Sequence, residues 1–402
     1  MSVQTVSRLR LVNRIRAALD SSFLSEEVLA LPSTYYIGIT SICDIQCPYC
    51  PRQFYEDDLD PGLMDFQEFI KLSPCLASGE EAFFFGLGEP FLHPGFFDFI
   101  RVSAETGIRS CTSTHGMSLK PPVRDQVLDA GLDELTVSID GADKETFEKL
   151  RSGARLETVV ENVRALQKEK RLRNLQKPRI LIATAVSQHN VHQLGDIVKL
   201  GHKLEASRIV FTDLILVDEK QACLSVARTD LFRKNFQKAE ALGKKYGIDV
   251  LYFYQYPFPW KKDPVPQTRI QGRRYICRDA WKTCIINRRG NMKPCCYYPP
   301  FTGNVFTHPL PDLINNEANR QLRRRLLEGD PPECCQSCGI LTEINAEQSL
   351  NALKQAQTLF LQSKDSSLLT QKDIDELAAI LSEYHQLWKK YQDELTKIGV
   401  RL

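Results

Sequence analysis

The residues Ser41-Ile-Cys-Asp-Ile-Gln-Cys-Pro-Tyr-Cys50 place three thiols within eight positions, directly after an apolar run at 36–40 that is typical of a strand. Three thiols in one loop can bind a single metal cluster, but they leave one of its usual four ligand positions open. A structural zinc site needs that fourth ligand, whereas an open position is typical of a catalytic site. The loop therefore predicts a metal centre at the end of the first strand, either iron–sulfur or zinc.

The segment from 35 to 217 alternates short apolar runs with helical patterns. Six such repeats, joined by short loops, predict a parallel sheet that is covered by helices on its outer face. Six strands are too few for the usual eight-stranded barrel, so we expect an α/β fold with a partial (β/α)6 TIM-like barrel. Functional side chains would then lie at the carboxyl ends of the strands. The predicted strands are 36–40, 82–85, 110–113, 134–139, 180–186 and 208–214.

The composition excludes several classes of protein. The 402 residues carry 52 Lys and Arg against 50 Asp and Glu, a net charge of +2, which gives no basic footprint for nucleic acid. No run of about 18 apolar residues is present, and arginines interrupt the apolar runs of the N-terminus, so we expect no membrane span and no secretory signal. Ten of the 13 cysteines fall in three groups, which in a reducing compartment is typical of metal ligands. The sequence therefore predicts a cytoplasmic, cysteine-ligated metalloprotein.

Changes of pattern divide the chain into five segments. The last is predicted to be a helical hairpin, whose second helix carries an apolar seam over three heptads from Ile374 to Ile398. We interpret the seam as a packing layer on the same chain; a dimer contact or a docking site for a partner is the alternative. The segments are an N-terminal helical segment (1–34), the partial barrel (35–220), a linker helix and loop (221–276), a small Cys-rich domain (277–340) and the C-terminal helical hairpin (341–402).

Three further motifs follow the second, third and fourth predicted strands. They are Phe85-Gly-Leu-Gly-Glu-Pro90, Ser113-Thr-His-Gly116 and Val137-Ser-Ile-Asp-Gly141. The glutamate of the first is an acceptor that suits a cation, and the serine and aspartate of the third share one face of a strand. Together with the Cys-x3-Cys-x2-Cys loop, these motifs resemble the radical S-adenosylmethionine (radical SAM) superfamily over roughly residues 35–217.

The resemblance implies a [4Fe–4S] cluster on Cys43, Cys47 and Cys50, with S-adenosylmethionine (SAM) on the open iron. An electron from the cluster would split SAM and release a 5′-deoxyadenosyl radical, which would remove a hydrogen atom from the substrate. His115, which replaces the asparagine usual in the family, and Asp213, after the sixth strand, are the candidates for a catalytic or substrate contact. The SAM-binding residues that the resemblance implies are Tyr49, Gly86, Gly88, Glu89, Ser138 and Asp140.

A second group of thiols lies in the Cys-rich segment. A glycine turn brings Cys295 back toward Cys277, and Cys335 and Cys338 form a Cys-x2-Cys pair. Spacing does not distinguish zinc from iron–sulfur here, and for a cytosolic chain zinc is the commoner metal. The segment also resembles the SPASM/twitch extensions of radical SAM enzymes, which carry auxiliary [4Fe–4S] clusters, and this implies a second [4Fe–4S] cluster on these four cysteines. The remaining cysteines of the segment are Cys334, an alternative to Cys335, and Cys284 and Cys296, whose roles stay open.

These patterns predict an oxidoreductase that cleaves SAM reductively and abstracts a substrate hydrogen. In the resembling families the auxiliary cluster often accepts the electron left on the substrate, which gives dehydrogenation or a cross-link. We expect a peptide substrate, such as a ribosomal precursor, and an external electron donor of the flavodoxin or ferredoxin type. A dehydrogenase or epimerase of a small polyol or aminosugar is the alternative within this chemistry. A zinc-stabilised binding protein, whose helical tail recruits a partner, is the hypothesis of another class.

Overall fold

The computed structural model is built around one large β-sheet. Ten of the described strands belong to this sheet, and three form a second, smaller one. The described residues are 2–53, 61–214, 224–226, 229–253, 269–270, 273–296, 298, 300–336, 342–344 and 346–397. The strands are β1 Thr34–Ile37, β2 Glu81–Phe84, β3 Arg109–Thr114, β4 Glu134–Ser138, β5 Arg179–Val186, β6 Arg208–Asp213, β7 Asp249–Phe253, β8 Arg269–Ile270, β9 Arg273–Ile276, β10 Thr283–Ile286, β11 Asn291–Lys293, β12 Gly303–Asn304 and β13 Thr342–Ile344.

Helices connect the strands, one long helix precedes the first strand and two long helices follow the last described strand. Three short 3-10 turns, at Pro51–Gln53, Pro90–Leu92 and Val191–Gln193, lie among them in the described residues. The α-helices are α1 Val3–Ser22, α2 Phe66–Ile70, α3 Ser73–Leu76, α4 Phe96–Thr106, α5 Val123–Asp129, α6 Lys144–Leu150, α7 Leu156–Leu172, α8 Leu194–Lys203, α9 Asp230–Tyr246, α10 Asp279–Lys282, α11 Leu310–Ile314, α12 Glu317–Glu328, α13 Glu333–Gln336, α14 Ala346–Ser363 and α15 Gln371–Lys397.

The strands β1 to β7 form a continuous parallel run within the large sheet. They pair side by side in chain order, for example Tyr36 with Phe83 and Val186 with Asp213. All six predicted strands are present, so the partial TIM-like barrel is confirmed. Strand β7 is not among the predicted strands, because it runs into an aromatic and proline-rich stretch from Tyr252 that is typical of a loop.

The Cys-rich segment extends the same sheet on the other side of β1. Strand β10 pairs with β1 in parallel, with Ile285 opposite Tyr36, and β11 and β12 follow as antiparallel strands. The small second sheet has the order β13-β9-β8. The cysteines that follow β11 therefore lie at the edge of the sheet that also forms the barrel.

The two faces of the parallel strands have different surroundings. Tyr35 and Phe84 point to the outer face and are fully buried, and Phe84 packs on Phe69 of α2 with ring centroids 5.8 Å apart. Side chains alternate along a strand, so Tyr36 and Phe83 point to the other, concave face. Their rings stack 4.9 Å apart and are only half-buried. The outer face thus supplies the core, and the concave face is the side on which a partial barrel holds its ligands.

Ion pairs close the amino-terminal end of the concave face. Glu134 of β4 is 5% exposed and lies between Arg109 of β3 and Arg179 of β5, with Arg109 Nη1 2.8 Å from Glu134 Oε1. Arg109 also pairs with Glu81 of β2. A carboxylate as buried as Glu134 depends on such partners, because an unpaired buried charge is strongly destabilising. This leaves the carboxyl ends of the strands as the open end of the barrel.

The N-terminal helix and the C-terminal hairpin form a second apolar cluster. Leu19 of α1, Phe360 of α14 and Leu377 and Trp388 of α15 are buried against one another. The apolar seam of α15 therefore packs within the same chain over its described side chains. Among the described helices, none combines the length and the hydropathy that crossing a bilayer requires.

Candidate active site

The three-cysteine loop lies just beyond the carboxyl end of β1. Cys43, Cys47 and Cys50 are half-buried, and a turn bond from Cys50 N to Cys47 O (3.1 Å) shapes the end of the loop. The pKa of Cys47 is raised to about 11, chiefly by burial and further by Cys50, Asp140 and Cys43, while Arg151 opposes the rise. Because Cys50 and Cys43 both act on Cys47, the three thiols share one electrostatic environment at the open end of the barrel.

Gly86 and Gly88 allow the loop after β2 to pack directly on the start of the cysteine loop. A Cβ on Gly86 would lie 2.8 Å from the carbonyl oxygen of Thr40, and one on Gly88 only 2.5 Å from that of Ile42. A Cβ does not approach a carbonyl oxygen this closely, so both positions require glycine. The backbone N–H of Glu89 then donates to Ile42 O at 2.8 Å. The two glycines thus bring Glu89 next to the cysteines.

The carboxylate of Glu89 is buried and held from several sides. Oε1 accepts from Thr114 Oγ1 (2.7 Å) and from the N–H of Phe91 (3.4 Å), and Oε2 accepts from the N–H of His115 (3.0 Å). Burial raises the pKa of Glu89, while His115 and these hydrogen bonds oppose the rise. A fixed carboxylate of this kind suits a ligand with an ammonium group.

Asp140, just beyond β4, lies within electrostatic reach of Cys47, and Ser138 is the last residue of β4. Asp140 Oδ2 accepts from Arg151 Nε at 2.6 Å, and Oδ1 accepts from the N–H of Ala185 at 2.8 Å. Ser138 is buried and lies opposite Ala183 of β5. Arg151 is not among the predicted site residues, because one arginine after a helix gives no signal that separates it from surface arginines.

Tyr49 lies over the carboxyl ends of β5 and β6. It packs with Ala185, Leu214 and Leu224, and its ring stacks on His189 with centroids 6.4 Å apart and an interplanar angle of 17°. The Tyr49 hydroxyl is 3.5 Å from His189 Nε2. These residues form an aromatic and apolar surface of the kind that accommodates a planar base.

The two candidates for substrate contact lie in different places. His115 is buried beside the cysteine loop, where its Nε2 is 2.8 Å from Asp44 Oδ1. Asp213 accepts a hydrogen bond from the hydroxyl of Tyr252, whose ring packs on Phe232 of α9. Asp213 is therefore on the helix-facing side of β6, and this placement does not support a substrate contact.

The residues of the loop fit an iron–sulfur cluster better than zinc. Three neighbouring thiols provide the ligands for a thiolate-bound cluster, and the Arg151 guanidinium beside them offsets the negative charge that such ligands carry. Cys43, Asp44 and His115 also place ligand atoms within 4.8 Å of one another, as a zinc site would. However, the lone pair of His115 Nδ1 is engaged by the N–H of Met117 (3.1 Å), and Nε2 faces carboxylate oxygens as a donor, so neither nitrogen offers a free lone pair to a metal.

The second group of cysteines lies toward the β12 edge of the large sheet. Cys277 follows β9, Cys295 follows β11 and Cys335 lies on α13. The pKa of Cys335 is raised by its hydrogen bond to Cys334, by burial, and by the charges of Cys334, Cys277 and Cys295. Three of the four predicted ligands are therefore neighbours, and the fourth, Cys338, lies outside the described residues.

The three unassigned cysteines of this segment differ in position. Cys334 Sγ is 3.8 Å from Cys335 Sγ, and Cys296 is hydrogen-bonded to Cys295, so both adjoin the predicted ligands. Cys284 instead points to the outer face of β10, where it is 2% exposed and its pKa is raised by burial and by Cys75. Its surroundings are those of a core thiol.

Comparison with known proteins agrees with this architecture. Residues 37–199 match the model of the Radical SAM superfamily, and residues 277–339 match the SPASM model, an iron-sulfur cluster-binding domain. An AdoMet-dependent heme synthase of Methanosarcina barkeri is 26% identical over 315 residues, 75% of this chain and 86% of that protein. A PqqA peptide cyclase of Bradyrhizobium diazoefficiens is 22% identical over 296 residues, 72% of this chain and 73% of that protein.

Solved structures share the fold at low sequence identity. Streptococcus suis SuiB bound to the precursor peptide SuiA has a TM-score of 0.57 and 13% identity, over 74% of this chain and 67% of that chain. Native anSMEcpe with bound AdoMet has a TM-score of 0.51 and 13% identity, over 87% of this chain and 96% of that chain. With both domain models matched and the fold shared, the chain is a radical SAM enzyme with a C-terminal SPASM-type domain, whose cofactors are SAM and iron–sulfur clusters.

Proposed function

We propose that this enzyme oxidises a peptide by removing a hydrogen atom and then an electron. SAM would bind at the Cys43, Cys47 and Cys50 site, and the auxiliary site would accept the electron. When bound, the [4Fe–4S] cluster supplies the electron that splits SAM into methionine and a 5′-deoxyadenosyl radical. The product would be dehydrogenated or cross-linked. An external donor of the flavodoxin or ferredoxin type would reduce the first cluster.

The observation that carries the proposal is the position of Tyr36 between the two cysteine groups. On one side its ring meets Phe85 (5.5 Å between centroids), the residue that precedes the Gly86 loop. On the other side, Cys296 and Cys295 are among the charges that raise the pKa of Tyr36, after burial, Asp279 and Glu81. A substrate on this half-buried aromatic surface would lie between the two sites, as an electron acceptor next to a substrate radical requires.

The chain's own side chains would bind and orient SAM. We assign its ammonium group to Glu89, its adenine to the surface formed by Tyr49, and its ribose and methionyl groups to Ser138 and Asp140. Arg151 would offset the negative charge of the cluster thiolates, since its charge already opposes the high pKa of Cys47. Burial of these groups would exclude water from the reacting atoms.

A peptide is the favoured substrate because the PqqA peptide cyclase resembles this chain along most of both sequences. The heme synthase covers a similar share of this chain at slightly higher identity, so sequence similarity also supports a haem precursor, which is the second candidate. A small molecule, either a polyol or an aminosugar, remains the third candidate for the substrate. For a dehydrogenation of any of these substrates, the 5′-deoxyadenosyl radical would take up the hydrogen atom and become 5′-deoxyadenosine. The substrate radical would then lose its electron to the auxiliary cluster and a proton to solvent.

The test is a substrate panel with anaerobically reconstituted enzyme, SAM and a low-potential reductant. The panel contains short peptides encoded beside the gene, a haem precursor, and polyols or aminosugars. We expect a peptide to stimulate formation of 5′-deoxyadenosine and to yield a product lighter by two hydrogen atoms. Stimulation by the haem precursor or a sugar alone would replace the peptide proposal by one of the other two.

A further inference from the structure

The buried side chain of His115 bridges two carboxylates at the open end of the barrel. Its Nε2 lies 2.8 Å from Oδ1 of Asp44, the residue after Cys43, and 3.3 Å from Oε2 of Glu89. Its backbone N–H also donates to Glu89 Oε2, at 3.0 Å. One residue therefore contacts both the cysteine loop and the carboxylate that we assign to the ammonium group of SAM.

The hydrogen bonds of the ring determine which nitrogen carries the proton. The N–H of Met117 points at Nδ1 from 3.1 Å and can only donate, so Nδ1 is an acceptor. The two carboxylate oxygens near Nε2 are acceptors, so Nε2 carries the hydrogen. Nδ1 thus accepts and Nε2 donates, so each ring nitrogen of His115 is engaged in a hydrogen bond.

We infer that His115 is a positioning residue, whose Nε2–H fixes Asp44 and Glu89 relative to each other, and that it transfers no proton. The inference rests on the proposed role of Glu89 in binding SAM. Two carboxylates this close repel each other, and an N–H between them stabilises the arrangement. Loss of the donor would let Glu89 and the cysteine loop move apart, which would weaken SAM binding.

Two substitutions separate the functions of the two ring nitrogens. The amide of His115→Gln reaches the position of Nε2 and keeps a donor there, whereas the shorter His115→Asn reaches only the position of Nδ1. A proton carrier would be lost in both variants, because neither amide titrates. A positioning residue would be rescued by glutamine.

His93 offers a matched control. Its Nδ1 accepts the N–H of Gly95 (3.0 Å), and its Nε2 lies 2.9 Å from the carbonyl oxygen of Met64. As in His115, the N–H that Nδ1 accepts belongs to the residue two positions later in the chain. It is buried like His115, and its ring packs on Phe99 at 4.9 Å. Replacing His93 therefore removes two side-chain hydrogen bonds, as many as His115 makes through Nδ1 and to Asp44, but it removes no contact to Glu89 or Asp44.

The experiment measures SAM affinity from the change in the electron paramagnetic resonance spectrum of the reduced, reconstituted protein as SAM is added. The thermal midpoint of the metal-free protein is measured in parallel. We expect His115→Asn to bind SAM about tenfold more weakly, since a hydrogen bond to a charged group is lost. His115→Gln should stay within about threefold of wild type, while His93→Asn should lower the thermal midpoint without changing SAM affinity.

In SAM cleavage without substrate, His115→Asn should raise KM for SAM and leave kcat nearly unchanged. Wild-type affinity in His115→Asn would overturn the inference, and so would an equal loss in His93→Asn. An equal loss of kcat in the glutamine and asparagine variants would establish a proton carrier instead. A wild-type protein that fails to bind SAM would overturn the proposed function itself, which distinguishes the two failures.

Discussion

Arg151 Nε donates to Asp140 Oδ2 across 2.6 Å, and the same guanidinium lies within electrostatic reach of Cys47. The carboxylate of Asp140, just beyond β4, thereby fixes the cationic side chain of Arg151 beside the thiols. The pair connects the loop after β4 to the three-cysteine loop, and Gln46 N adds a bond of 2.9 Å to Ser152 O. The candidate SAM site is thus held together by contacts between loops of different strands.

We predict that Arg151→Leu destabilises the metal-free protein by about 3 kcal/mol, because Asp140 is left buried without its cation. Asp140→Asn combined with Arg151→Leu should cost less than the sum of the two single changes, by about 1–3 kcal/mol. Urea unfolding of the four proteins measures this coupling. Strictly additive effects would mean that the ion pair contributes nothing to stability.

Gly88→Ala should displace the cysteine loop, since the new Cβ would lie 2.5 Å from Ile42 O. We expect a lower thermal midpoint and a loss of most SAM cleavage. The control is Gly195→Ala on α8, where the new Cβ meets only the end of the Leu242 side chain, at 3.2 Å. Alanine there should leave activity unchanged and stabilise the helix by up to about 1 kcal/mol. Equal effects of the two changes would argue against the close approach at Gly88.

The buried carboxyl of Asp20 predicts a pH effect on stability. It accepts the N–H groups of Leu29 (3.0 Å) and Ala30 (2.9 Å), and burial raises its pKa from 3.8 to about 6, although Arg323 and Arg16 oppose the rise. Between pH 4 and 6 the unfolded chain loses this proton while the native state keeps it. Stability therefore falls across this window, by an amount on the order of 3 kcal/mol.

Asp20→Asn removes the titration, so the difference in unfolding free energy between variant and wild type isolates it. That difference should shift in favour of the variant from pH 4 to 6 and stay constant above pH 6. Urea unfolding of the metal-free proteins at a series of pH values measures it. A difference that does not change with pH would show that Asp20 titrates normally in the native state.

Cys284 and Cys295 should behave differently when they are replaced. Cys284→Ala removes a core thiol that lies near Tyr35 and Cys75, so iron content after reconstitution should match that of wild type. Cys295→Ala removes a predicted ligand and should lose about four irons, those of one cube. Iron and acid-labile sulfide analysis checks both. Loss of iron in Cys284→Ala would return this cysteine to the ligand set.

Local patterns were sufficient to predict most of the architecture. Strand periodicity predicts all six strands of the barrel core, and the heptad spacing of Leu377, Leu381 and Trp388 predicts the packed seam of α15. The extension of the sheet by β10 could not be predicted, because pairing between Tyr36 and Ile285 joins residues far apart in the chain. Strand β7 merges with a stretch that has the composition of a loop.

The candidate site was predicted less completely than the fold. Spacing predicts the cysteine loop, because its ligands are close in sequence. The spacing of residues does not predict that Arg151 and His189 belong to the site. Each of them reaches its position only when strand ends from different parts of the chain meet. Asp213 ends β6, where a site residue could lie, yet strand alternation turns it toward α9.

The most direct test of the account is SAM cleavage by anaerobically reconstituted wild type and by the variant in which Cys43, Cys47 and Cys50 are all alanine. We predict that wild type forms 5′-deoxyadenosine under low-potential reductant. The variant should form none while it keeps the iron of the auxiliary site, about four atoms for each cube. Cleavage of SAM by the triple variant, or a wild type that binds only zinc and leaves SAM intact, would contradict the account.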